Sequence, residues 1–148
     1  DASLEVSKEA LKMSPSNFDA QYSISYAYFL YFLKMRDTQP KIDTDEKMAE
    51  EKAMLRKKTE EYLGKSQESL EKALKIRHQD YKIQTLALLL YFEKLRDLPN
   101  RESLSQVTER NELKSKIEFH GKQYLIYKPK SKKMDKRIRD ILDVSKTL

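Results

Sequence analysis

The sequence contains no cysteine and no tryptophan. Without thiols there is neither a disulfide framework nor a thiolate metal site, and cysteine usage does not mark a redox compartment. Glycine and proline are scarce, at 2 and 4 residues of 148, far fewer than a turn-rich mixed fold uses. No apolar stretch reaches the roughly 18 uncharged residues of a membrane-spanning helix. No glycine-rich phosphate loop, nucleophile elbow or His–Asp–nucleophile set is visible. The chain opens on Asp1 rather than Met. It therefore reads as an excised or processed fragment, with any signal peptide or lipid anchor lying upstream.

What is present points to helices. Charged residues make up 36% of the chain and hydrophobic ones 39%, including nine Tyr and five Phe. Those rings each bury a large area, so a packed core is within reach. The length suits one domain, or one domain with a small appendage. The net charge of +6 is uneven. Residues 1–110 hold 19 basic and 19 acidic side chains, whereas residues 111–148 hold 11 and 5. The last quarter is a basic appendage on a neutral body.

The chain repeats itself. Ala10-Leu11-Lys12-Met13 recurs as Ala73-Leu74-Lys75-Ile76, and the same offset of 63 pairs Phe18 with Tyr81, Gln21 with Gln84, Tyr28 with Tyr91 and Phe29 with Phe92. Each copy reads as the end of one helix, a short turn, and an aromatic-rich helix. In the first copy Pro15 ends the preceding helix, and Ser16 or Asn17 caps the next. That helix, about 17–35, is apolar on more than one face and so packs on two sides. A polar loop, Asp37 to Ile42, leads to a capping-box-like start at Asp43 and Glu46. A long helix then runs over about 45–77, with Met48, Leu55, Tyr62 and Ile76 at multiples of seven and a potential break at Gly64. The second aromatic helix covers about 80–96 and ends at Leu98-Pro99-Asn100.

The remainder divides into three pieces. A weaker helix is expected over about 102–116. Ile117 to Phe119 and Gln123 to Lys128 are β-prone and flank His120-Gly121, which predicts a β-hairpin closed by Pro129. A last amphipathic helix, about 133–146, aligns Met134, Ile138, Ile141, Leu142 and Ser145.

Ala10 and Pro15, with Ile24, Ser25 and Tyr28, and in the second copy Ala73, Ala87 and Tyr91, fit a known pattern. The chain resembles the tetratricopeptide repeat, a helix pair with small and large apolar positions followed by an Ala-Leu…Pro turn. The resemblance covers about residues 3–97. It departs from the family in its spacing of 63, in His78 where Pro is usual, in Leu88 where a small residue is usual, and in Gln21 and Gln84 at the Trp-like position. It implies an antiparallel helix-pair stack over residues 1–100; the basic helix–hairpin–helix tail over 101–148 is not a repeat, and the fold expected for the whole is mainly α. The resemblance also implies a concave groove for a protein or peptide. By position the groove residues are Asp19, Tyr22, Ser23 and Tyr26, then Lys82, Thr85, Leu86 and Leu89. The family's carboxylate clamp is not matched, since only Lys82 is offered.

Phe18, Phe29, Phe32 and Phe92 read as core, and Tyr22 and Tyr26 as half-wet surface. The two histidines, His78 and His120, read as a turn residue and a hairpin-tip residue rather than metal ligands. Glu50-Glu51 and Glu60-Glu61 read as a solvated face rather than an acid–base pair. The expected function is therefore a non-catalytic protein-interaction scaffold with no cofactor and no metal. It would act through the groove or through the tail residues Tyr124, Tyr127, Lys128, Lys130, Lys132, Lys133, Lys136, Arg137 and Arg139. The alternative is a nucleic-acid- or anionic-membrane-binding domain acting through residues 122–139. The Lys-rich, Gly-poor, Cys-free and Trp-free composition is what an AT-rich bacterial genome produces. With the absence of Cys and of an initial Met it permits an exported protein, such as the body of a spirochaete-type lipoprotein, the alternative being cytoplasmic.

Overall fold

The computed structural model describes residues 2–37, 46–99 and 103–148, and of residues 46–48 only the backbone. Six helices account for nearly all of them: α1 (Ala2–Met13), α2 (Phe18–Asp37), α3 (Glu46–Ile76), α4 (Tyr81–Asp97), α5 (Leu104–Tyr127) and α6 (Lys132–Thr147). No strand occurs among the described residues. The helices form two compact units, residues 1–76 with α1 to α3 and residues 77–148 with α4 to α6. The expected loop from Asp37 to Ile42 and the capping start at Asp43 lie outside the described residues, apart from Asp37 at the end of α2.

Short polar residues start the helices by accepting orphan backbone N–H groups. The Asn17 side chain accepts from the Ala20 amide at 3.1 Å, and Asp80 from the Lys82 amide at 2.7 Å. Ser103 serves Gln106, and Ser131 serves Met134. Asn17 and Asp80 are themselves 63 positions apart.

The duplicated frame extends to the hydrogen bonds. Gln21 donates its amide to the Pro15 carbonyl at 3.4 Å, and Gln84 donates to the His78 carbonyl at 2.8 Å. Both glutamines are buried and reach back over the turn that precedes their helix. This bond needs only a carbonyl at the turn position, which explains how His78 replaces Pro15. Further pairs at the same offset are buried in both copies: Ala20 and Ile83, Ile24 and Ala87, Ser25 and Leu88, Tyr28 and Tyr91, Phe32 and Leu95.

In the first unit α2 packs on both α1 and α3, as apolar residues on more than one face require. Leu4, Ile24 and Tyr28 form a cluster, with Leu11, Tyr31 and Tyr62 packed against it. The α2–α3 contact is close because both helices present serine. Ser25 and Ser66 are fully buried, and each hydroxyl donates to the other residue's carbonyl, at 2.8 and 2.7 Å. α3 continues through Gly64 without interruption.

In the second unit the expected β-hairpin is absent. Residues 117–127 belong to α5, which runs eleven residues beyond the expected end at Lys116. The reason is periodic burial. Leu113, Ile117, His120, Gly121 and Tyr124 are buried at helical spacing, so one face of a helix enters the core and outweighs the local β propensity. Gly121 supplies a close approach, not a turn. A Cβ there would lie 2.6 Å from Leu142 Cδ2 and 3.0 Å from Cδ1, so glycine lets α6 pack against α5. Helix α5 stops where Lys128, ahead of Pro129, adopts extended backbone.

Candidate functional site

The sequence singled out two surfaces, and the first lies partly on α2. Asp19 and Tyr26 are exposed, while Tyr22 and Ser23 are half-buried. Asp19, Ser23 and Tyr26 share the side of α2 opposite its buried face. Leu30 extends this stripe four residues further and is 44% exposed. Phe18, Tyr22 and Tyr26 stack in series, with centroids 6.3 and 6.0 Å apart. Tyr22 and Tyr26 thus each pack against a ring one turn away. Leu30 was missed by sequence reasoning, although the spacing 19, 23, 26, 30 could have found it.

The equivalent positions of the second unit are on α4. Lys82 is exposed, and Thr85 and Leu89 are half-buried. Leu86 is 2% exposed and belongs to the core, so it is unavailable to a partner. The Thr85 hydroxyl is spent on the Tyr81 carbonyl at 2.8 Å. Aromatic character at this face is confined to the first copy.

The second surface is the basic tail, which the structure redistributes. Tyr124 is 0% exposed, and its hydroxyl donates to Asp135 at 3.3 Å. Burial pushes its phenol above the ordinary range, with the Asp135 charge adding to the effect. Lys128 donates to the other Asp135 oxygen at 2.7 Å. That bond holds the Asp135 carboxyl below the usual carboxylate range, with smaller contributions from Tyr124 and Arg139. Tyr124, Lys128 and Asp135 thus tie α5 to α6. Tyr127 is half-buried with its edge against His78, at a centroid distance of 6.4 Å.

Lys130, Lys132, Lys133, Lys136, Arg137 and Arg139 remain exposed. The first five form no ion pair among the described residues. Lys132 and Lys133 occupy the first turn of α6, the end where the helix dipole disfavours cations. Nothing in the packing accounts for their placement.

His120 is not at a turn tip. It is 7% exposed and lies within the second unit's core. Its Nδ1 is 2.7 Å from the Gln84 side-chain oxygen. Since Gln84 gives its amide protons to His78, that oxygen accepts, and His120 Nδ1 carries the proton. The ring stacks on Tyr91 at 5.6 Å, and the Lys116 ammonium lies 4.9 Å from the same Tyr91 ring. Burial, reinforced by the Lys116 charge, lowers the imidazole to about 4. It is a neutral linker between α4 and α5, bonded through Nδ1 and stacked on Tyr91. The exposed His78 lends only its carbonyl to this network.

A cavity of about 220 Å³ lies between α5 and α6, lined by Lys114, Glu118, Leu142, Ser145 and Lys146. Its polar groups serve one another and the helices. Lys114 donates to the Lys146 carbonyl at 3.4 Å, Ser145 to the Leu142 carbonyl, and Glu118 pairs with Lys122. Among the described residues no three His, Asp or Glu side chains gather as a metal site would require. No helix among them is long and apolar enough to cross a membrane. Compared with protein-family models, curated proteins and solved structures, the chain matches none.

Proposed function

We propose that this chain is a non-catalytic scaffold of the degenerate tetratricopeptide-like kind, and that it binds a segment of a partner protein along the outer face of α2. The observation that carries this reading is the half-exposed row of Tyr22, Tyr26 and Leu30 on a helix whose opposite side is already filled by core. A row of two tyrosines and a leucine with one wet edge presents both apolar area and hydroxyls, and tyrosine has few rotatable bonds to fix on binding. The two copies of a capped helix with a back-bonded glutamine supply a stiff frame for it.

The test places a photo-crosslinking residue at Tyr26 in the full chain and, as a control, at the exposed Lys57 of α3. Expected is a crosslinked partner at 26 and not at 57, lost on Tyr22→Ser with Leu30→Glu while helicity is unchanged. If the doubly substituted chain captures the same partner from native cells as the parent does, the reading is overturned.

A further inference from the structure

We propose that the tip of the α5–α6 hairpin is a docking surface for an anionic lipid bilayer. The inference does not depend on the α2 surface, and either can fail alone. α5 and α6 run antiparallel, as shown by contacts of Gly121 with Leu142, of Tyr124 and Lys128 with Asp135, and of Lys114 with the Lys146 carbonyl. Their turn brings together Leu125 and Ile126 from the last turn of α5 and Lys130, Lys132, Lys133, Lys136 and Arg137 from the connection and the start of α6. Leu125 is 36% and Ile126 66% exposed, and the five cations are solvent-facing.

Three observations choose a bilayer over other anionic partners. The exposed non-polar groups of the tip itself, Leu125 and Ile126, are aliphatic, and the exposed ring of Phe119 lies two turns back along α5. Single-stranded nucleic acid binds through basic grooves furnished with stacking rings, and both nearby tyrosines are withdrawn, Tyr124 into the core and Tyr127 against His78. A duplex would be served by the cations alone and would give Leu125 and Ile126 nothing to meet. Aliphatic side chains close in sequence to a run of Lys and Arg match an interface where headgroups are anionic and acyl chains lie just below. The cations at the start of α6 also run against the helix dipole, and a local rule broken without structural gain marks a functional surface.

Sedimentation with sucrose-loaded vesicles of phosphatidylserine and phosphatidylcholine, against pure phosphatidylcholine, tests the proposal. Each basic residue near an anionic surface strengthens binding about five-fold. Lys130→Gln with Lys132→Gln and Lys133→Gln should therefore weaken binding roughly a hundred-fold. Relieving the dipole conflict at α6 leaves the fold no less stable. A control of equal charge change, Arg56→Gln with Lys57→Gln and Lys75→Gln on exposed positions of α3, should retain most of the affinity. Ile126→Asn should cost about ten-fold, the order expected for an apolar side chain leaving the interface. Equal binding to both vesicle types, or equal loss in both triple variants, overturns the proposal. So does tighter binding to an oligonucleotide than to the anionic vesicles, and so does an Ile126→Asn chain that binds like the parent.

Discussion

Glycine at 121 is the sharpest test of how the second unit is built, because the same substitution has opposite expectations at the chain's two glycines. Gly64 sits mid-helix in α3, is exposed, and has nothing within 4 Å of a built Cβ. Gly64→Ala should therefore stabilise by the helix-propensity difference alone, about 1 kcal/mol. Gly121→Ala gains the same about 1 kcal/mol but drives a methyl into Leu142, at 2.6, 3.0 and 3.2 Å from Cδ2, Cδ1 and Cγ. Overfilling a packed site costs about 1–3 kcal/mol. The net for Gly121→Ala lies between neutral and about 2 kcal/mol destabilising. In a Leu142→Ala background the obstruction is gone, and Gly121→Ala should recover its about 1 kcal/mol of stabilisation. Urea unfolding followed by far-UV circular dichroism measures the four corners of this cycle. Should the two units unfold in separate transitions, each substitution shifts only its own. A β-turn at 121 would penalise alanine whatever side chain stood at 142. The reasoning is refuted if Gly121→Ala stabilises as much as Gly64→Ala, or if its effect is the same in the parent chain and in the Leu142→Ala background.

Two further outcomes follow from buried polar groups. His120 titrates at about 4 in the folded chain against an ordinary 6.5, so on acidification the unfolded chain takes the proton first. Its contribution is complete above pH 6.5, is lost as the pH falls toward 4, and amounts to about 3 kcal/mol. His120→Gln should flatten that part of the stability–pH curve, and an unchanged slope in the variant would show that another group titrates. The reciprocal Ser25–Ser66 pair sets the α2–α3 spacing. Ser66→Ala should cost about 1 kcal/mol, whereas Ser66→Leu should cost roughly 3 kcal/mol or more, because no space exists for it. Comparable chemical midpoints for the two variants would mean that the helices are not held that closely.

Much of this frame was legible as sequence. The offset of 63 paired Gln21 with Gln84 before either had a role, and both proved to be the side chains that reach back to a turn carbonyl. Asn17 and Pro15 could be read as cap and helix stop because their chemistry is local. The error fell where local and periodic signals disagreed. Ile117 to Tyr127 is rich in β-formers around a His-Gly pair, and a short window favours a hairpin. Over a longer window Leu113, Ile117, Gly121 and Tyr124 recur with helical spacing, and burial of that face decides the outcome. Nothing in the sequence announced that Gly121 was needed for Leu142, or that Tyr124 and Lys128 would be consumed by Asp135, since those partners come from another helix.

The two copies share their buried positions, with residues of different size at most of them, and differ in character on the outer face, and that contrast bears on where function lies. Ala20 and Ile83, Tyr28 and Tyr91, and Phe32 and Leu95 all fill core, so exchange of residue size between the copies is absorbed by packing. On the outer face the correspondences are Tyr22 with Thr85, Tyr26 with Leu89, and Leu30 with Glu93. Packing does not require an aromatic row in one copy and its absence in the other, because both faces are only partly covered. A repeated frame that needed nothing but stability would tolerate polar residues at all six positions. The stacked tyrosines of α2, like the cations that oppose the α6 dipole, are therefore features that the fold does not ask for, and both candidate contact surfaces lie among them.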